Sequence, residues 1–165
     1  LYLPFVRSAE GATWFAGPRV RLKWMPLRPA AGGAGYFAGV NGELSFLQQR
    51  FDEARRSVEI RPIVGYRNER WLFSFNPVVE FDLAGEERRV VFFSPAAKLS
   101  RDIGNRTALG LEYYADLGRL SHFAPRAEQE HTLFLAIDTP RVNFGVGRGF
   151  SGAADRWTVK AIFDF

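Results

Sequence analysis

The feature that most constrains this chain is an alternation of apolar and polar residues with a period of two. It recurs over segments of about ten residues from Phe15 onward, and clusters of Gly, Pro, Asp, Asn and Arg break it. A strand points successive side chains to opposite faces, so each such segment has one oily and one wet surface. The last segment, DRWTVKAIFDF, is the clearest. Trp157, Val159, Ala161, Phe163 and Phe165 share one face, and Arg156, Thr158, Lys160, Ile162 and Asp164 share the other.

The same division runs back along the chain. In residues 70 to 83, Trp71, Phe73, Phe75, Pro77, Val79, Phe81 and Leu83 oppose Ser74, Asn76, Glu80 and Asp82. In residues 57 to 67, Val58, Ile60, Pro62, Val64 and Tyr66 oppose Glu59, Arg61, Gly65 and Arg67. Each proline removes a ladder donor, which predicts either a bulge at Pro77 or a register that leaves that position unpaired. In residues 36 to 50, Ala38, Val40, Leu44 and Phe46 oppose Asn41, Glu43, Ser45 and Gln49; in residues 107 to 117, Leu109, Leu111, Tyr113, Ala115 and Leu117 oppose Gly110, Glu112, Tyr114 and Asp116. Residues 131 to 139 and 142 to 149 place Thr132, Ala136 and Asp138, then Asn143, Gly145, Gly147 and Gly149, on the polar face, the glycines leaving room for a large side chain such as Tyr114. Residues 18 to 25 set Val20, Leu22 and Trp24 against Arg19, Arg21 and Lys23. Residues 89 to 100 are apolar on both faces at VVFF; turning Val91, Phe93, Ala97 and Leu99 outward brings Lys98 inward. The strand count is about nine to ten.

Composition then separates the classes that share this pattern. Mean hydropathy is −0.15, and no stretch reaches the roughly 18–20 apolar residues of a membrane helix, which excludes a helical membrane protein. Aromatic residues make up 15% of the chain, as interfacial girdles of a membrane barrel require. Cysteine is absent, so disulfides and thiolate metal sites are excluded. The net charge of +4 is spread along the chain without the basic stripe of a nucleic-acid binder. The first residues, LYLPFVRSAEG, lack an initiator Met and a signal peptide, as expected of a mature or truncated product.

Connection lengths point the same way. Bacterial outer-membrane barrels alternate short periplasmic turns with longer external loops and keep the C-terminus in the periplasm. Counting back from Phe165, residues 150 to 155 are external, Thr139 to Arg141 is tight, and GRLSHFAPRAEQE is long. RDIGNR is short, AGEERR intermediate, RNER tight and RFDEARRS longer; PLRPAAGGAG is the exception, long where a turn is expected. The expectation is an all-β fold, an antiparallel up-and-down transmembrane β-barrel occupying residues 1 to 165 as one domain. LYLPFVR is too short to complete the strand that must precede it, so a longer parent barrel is expected, with this chain its C-terminal part.

The terminal phenylalanine, with Trp157, Val159, Ala161 and Phe163 at alternate positions before Phe165, matches the C-terminal signal read by the barrel-assembly machinery. The strings ELSFLQQRFDEARRSVEIRPIVGYRNERWLFSFNPVVEFDL, ALGLEYYADLGRLSHF and FGVGRGFSGAADRWTVKAIFDF resemble uncharacterised proteobacterial outer-membrane β-barrel proteins over roughly residues 15 to 165. That resemblance implies a C-terminal barrel portion in the Gram-negative outer membrane and brings no activity or site residues with it.

Other motifs are weaker. GVGRGFSG departs from a dinucleotide loop, with Phe150 at the third glycine position. His122 and His131 flank the longest C-terminal loop near Ser121, Thr132, Glu128 and Glu130, which makes a lipid hydrolase or a metal site conceivable without a recognisable catalytic string. The most informative feature is the charge on the inner face. Arg19, Arg21, Lys23, Arg61, Arg67, Arg156 and Lys160 share it with Glu43, Glu59, Glu80, Asp82, Glu112, Asp116, Asp138 and Asp164, and Tyr114 lies among them. Such charges require water or mutual pairing. The expected function is therefore a passive, porin-like pore for small polar solutes, with no enzyme activity and no cofactor. A salt-bridged structural or envelope-interaction barrel is the alternative, and an outer-membrane lipid hydrolase comes third. The expected partners are outer-membrane lipid and the assembly machinery, not nucleic acid.

Overall fold

The computed structural model describes residues 5–7, 11, 13–48, 56–85 and 87–163. Every regular element among them is a strand, and no helix is long and apolar enough to cross a membrane. A small hairpin pairs β1 (Phe5–Arg7) with β2 (Thr13–Phe15). The rest is one antiparallel meander. β3 (Arg19–Leu27) pairs with β4 (Gly35–Phe46), and β4 with β5 (Arg56–Arg67). β5 pairs with a strand in two pieces, β6 (Trp71–Asn76) and β7 (Val79–Asp82). These face another two-piece strand, β8 (Val91–Phe93) and β9 (Ala96–Gly104). β9 pairs with β10 (Thr107–Asp116), and β8 with β11 (Gly118–Arg119), whose other neighbour is β12 (His122–Phe123). β10 leads on to β13 (Glu130–Asp138), β14 (Val142–Gly149) and β15 (Trp157–Phe163).

The interruptions have one cause. The pairs Val64↔Phe75 and Ile60↔Val79 keep a constant register across the gap between β6 and β7, so Pro62 stands opposite Pro77. Likewise Asn76↔Ala96 and Val79↔Phe93 place Pro77 opposite Pro95. Three prolines thus lie in a row on adjacent strands, without a bulge. Leu83 N–H donates to Arg56 O at 2.9 Å, which fixes even-numbered β5 residues, Pro62 included, at hydrogen-bonded positions. Facing prolines there lose both ladder bonds at once. Asn76 repairs one of them, its side-chain amide donating to Pro62 O at 3.3 Å.

Turn chemistry sets the other connections. Asn105 and Arg106 have φ of 53° and 58°, the left-handed pair that a two-residue hairpin of matching twist needs. β9 therefore runs on to Gly104, and the connection expected over RDIGNR shrinks to two residues. At the β5–β6 turn the Asn68 carboxamide accepts from Arg70 N–H and Trp71 N–H. At the β13–β14 turn Thr139 Oγ1 accepts from Val142 N–H at 3.0 Å. Such side-chain caps satisfy backbone donors without lengthening the loop.

The antiparallel all-β sheet is as expected, and it does not close on itself. A closed barrel needs its first and last strands paired, but β3 and β15 each have a single neighbour among the described residues. The sheet is an open, curled meander rather than a closed barrel, because neither edge ladder finds a partner. Arg156 lies exposed in the connection, one residue before β15 begins. Asp164 and Phe165 lie outside the described residues, as does Gln49.

Candidate functional site

The curl of the sheet gathers the polar faces. Three strand spacings separate β10 from β15, about 14 Å on a flat sheet, yet the Lys160 ammonium pairs with Glu112 on β10. The polar face is therefore concave. Small residues make that reach possible. The Lys160 chain crosses Gly145, where an added Cβ would lie 3.1 Å from Lys160 Cε, and Gly145 faces Ala136, which is 1% exposed.

Glu112 is the hub. It is 3% exposed, and Lys98, its cross-strand neighbour, approaches one oxygen at 3.0 Å while Lys160 takes the other. Tyr114 Oη donates to Glu112 at 2.7 Å and Asn143 Nδ2 donates to it at 3.0 Å. Lys98 also pairs with Asp138 at 2.6 Å. A buried carboxylate held by two ammonium groups and two neutral donors meets the condition under which its desolvation is offset.

A second cluster sits on β3 to β5. Arg21 pairs with Glu43 at 2.5 Å and Arg19 with the same carboxylate at 3.4 Å; Arg61 pairs with Glu59 at 3.0 Å. Glu80 and Asp82 continue this face on β7, opposite Glu59 and Ser57. Asp116 lies at the rim, where its carboxylate accepts from Gly118 N–H. Arg67 donates to Ala30 O across the β3–β4 connection. Between the clusters, toward the short-turn end, lies an open cleft of about 1100 Å³ lined by residues of β3 through β13, among them Lys23, Asn41, Arg61, Ser74, Lys98 and Asp138.

Two inward features escape the alternation pattern. Phe134 is 6% exposed, and its ring covers Gly147, its cross-strand neighbour, so closely that an added Cβ would sit 2.6 Å from it. Tyr114 then packs edge-on against Phe134 at 5.6 Å. The room left by the glycines thus holds Phe134 first, with Tyr114 set edge-on against it. Phe37 covers Gly65 in the same cross-strand arrangement. The signal that marks such pairs is an inward aromatic directly opposite a glycine, visible only once register is known.

The outward face is apolar and open. Leu22, Leu135 and Val159 are 77%, 57% and 66% exposed, and Arg101 over Trp71 and Arg148 over Trp157 place cation–π pairs at the two ends of the strands. Trp157, Val159, Ala161 and Phe163 form one outward row on β15. The histidines are not brought together as a catalytic pair. The His131 ring bonds Tyr113 Oη at 2.6 Å and Gln129 at 3.1 Å on the outward side, and His122 lies on β12 opposite Arg119. Among the described residues no group of three or more His, Asp or Glu is placed to hold a metal ion. GVGRG lies on β14, a strand, where a dinucleotide loop would open a helix.

Comparison with known protein families, with curated proteins and with solved structures returns no match.

Proposed function

We propose that the chain is part of a β-barrel of the Gram-negative outer membrane whose charged inner face passes small polar solutes by diffusion. The observation that carries this reading is the inversion of the sheet. Its concave side holds Glu112, Glu43, Lys98 and Asn41, while its convex side exposes Leu22, Leu111, Leu135 and Val159. A soluble binding barrel has the opposite arrangement, an apolar interior under a polar exterior, because water must meet its outer surface. Lipid removes that requirement. Closure is supplied in this reading by strands beyond the edges of β3 and β15, and the outward row of β15 is what the assembly machinery reads. Recovery of the protein from outer membranes with a heat-dependent shift in detergent-gel mobility is the expected result. A soluble protein with no shift would overturn the reading.

A second reading has its own observation. Lys160, Glu112, Lys98, Asp138 and Asn143 form one continuous polar network across β9, β10, β13, β14 and β15. Such a network closes part of the lumen and favours a structural barrel. Conductance of the protein in planar bilayers separates the two, an open pore passing steady current and a closed barrel none.

A further inference from the structure

The cleft at the short-turn end is asymmetric in charge. Six cations line it, Arg21, Lys23, Arg61, Arg67, Arg70 and Lys98, against three acids, Glu69, Asp102 and Asp138. Glu43 and Glu59 pair with Arg21 and Arg61 from outside the lining and offset much of their charge, so the cationic excess facing the cleft rests on Lys23, Arg67 and Arg70. Lys23 has no ion pair or hydrogen bond among the described residues.

The centre of the cleft carries an independent observation. Cross-strand register sets Lys23, Asn41 and Arg61 in one row on β3, β4 and β5. Asn41 is 5% exposed, lines the cleft, and its Oδ1 has no hydrogen-bond partner. A buried acceptor left unpaired is costly, whereas one facing a cleft is satisfied by whatever enters. Its flanking cations favour an anion, and the acceptor itself calls for a hydroxyl donor on the same molecule.

We infer that the row Lys23–Asn41–Arg61 is a binding site for a small hydroxylated anion, its carboxylate or phosphate held by Lys23 and Arg61 and its hydroxyl donating to Asn41 Oδ1. This rests on the reading of the concave face as a solute path and names the solute class. Cations on one wall of an open cleft concentrate anions there, and Asn41 selects among them.

The test is calorimetric titration of the full chain, folded in detergent, with glycerol 3-phosphate, inorganic phosphate and glycerol, together with reversal potentials in bilayers under a KCl gradient. Glycerol 3-phosphate should bind more tightly than inorganic phosphate, and glycerol should not bind. Lys23→Gln, at an exposed edge-strand position, should abolish binding and lower the anion-to-cation permeability ratio about six- to thirtyfold, because losing one unit charge about 4–8 Å away in water shifts anion and cation about two- to sixfold each in opposite directions. Asn41→Val, which has no acceptor, should remove the preference for the hydroxylated ligand while leaving phosphate binding intact. Equal affinity for the two phosphates, or a cation-selective current, overturns the inference while the pore reading stands. Binding without current overturns the pore and retains the site; neither binding nor current overturns both.

Discussion

Gly147 is the position where a single methyl group should be most informative. A Cβ there would lie 2.6, 2.7 and 2.8 Å from three carbons of the Phe134 ring, far inside ordinary contact. The ring has little freedom to yield, because Tyr114 packs on it at 5.6 Å and the Lys160 ammonium lies 5.2 Å from its centroid. Overpacking of this kind costs about 1–3 kcal/mol. Replacing glycine by alanine returns about 0.4–1 kcal/mol by restricting the unfolded chain. Gly147→Ala should therefore destabilise by about 1–2 kcal/mol, read as a lower urea midpoint for the protein folded in detergent micelles. In a Phe134→Leu background the clash is relieved, and the same change should be neutral or mildly stabilising. The difference between the backgrounds is the coupling energy, expected to be at least about 1 kcal/mol. An equal cost in both backgrounds, or no cost in the native one, would refute the placement of Phe134 over Gly147.

Glu112→Gln should destabilise by about 2–4 kcal/mol in the same assay, at the lower side of the range for breaking a buried pair because Lys98 keeps Asp138. If the network closes the lumen, the same variant should conduct more. Asn76→Ala should cost about 1 kcal/mol by removing the donor to Pro62 O. That cost should vanish with Pro77→Ala, which restores a backbone donor. Leu135→Arg, on the exposed convex face, should cost about 2–4 kcal/mol in lipid, where a soluble surface would tolerate it; urea unfolding in lipid vesicles measures this.

The strands and their facing were legible because alternation is a local property. Leu135 and Val159 could be placed outward, and Lys98 and Glu112 inward, from period alone. The partnerships were not legible, because they depend on register. Nothing in the string reveals that Pro62, Pro77 and Pro95 align on three strands, or that Phe134 and Phe37 lie across from Gly147 and Gly65. Phe134 in particular falls on the polar face, where alternation predicts a polar side chain. Lys160 and Lys23 were both legible as inward cations, yet only the curl distinguishes the one joined to Glu112 from the one facing an open cleft. Closure was not legible either, since edge pairing depends on strands that lie apart in sequence.

The most direct measurement uses the absence of native cysteine. Leu135→Cys on the convex face and Ser74→Cys in the cleft, each carrying a polarity-sensitive fluorophore, are compared in vesicles with brominated lipid and with aqueous iodide. The expected result is quenching of the Leu135 probe by brominated lipid alone and of the Ser74 probe by iodide alone. Quenching of both by iodide, with neither responding to lipid, would contradict the membrane assignment.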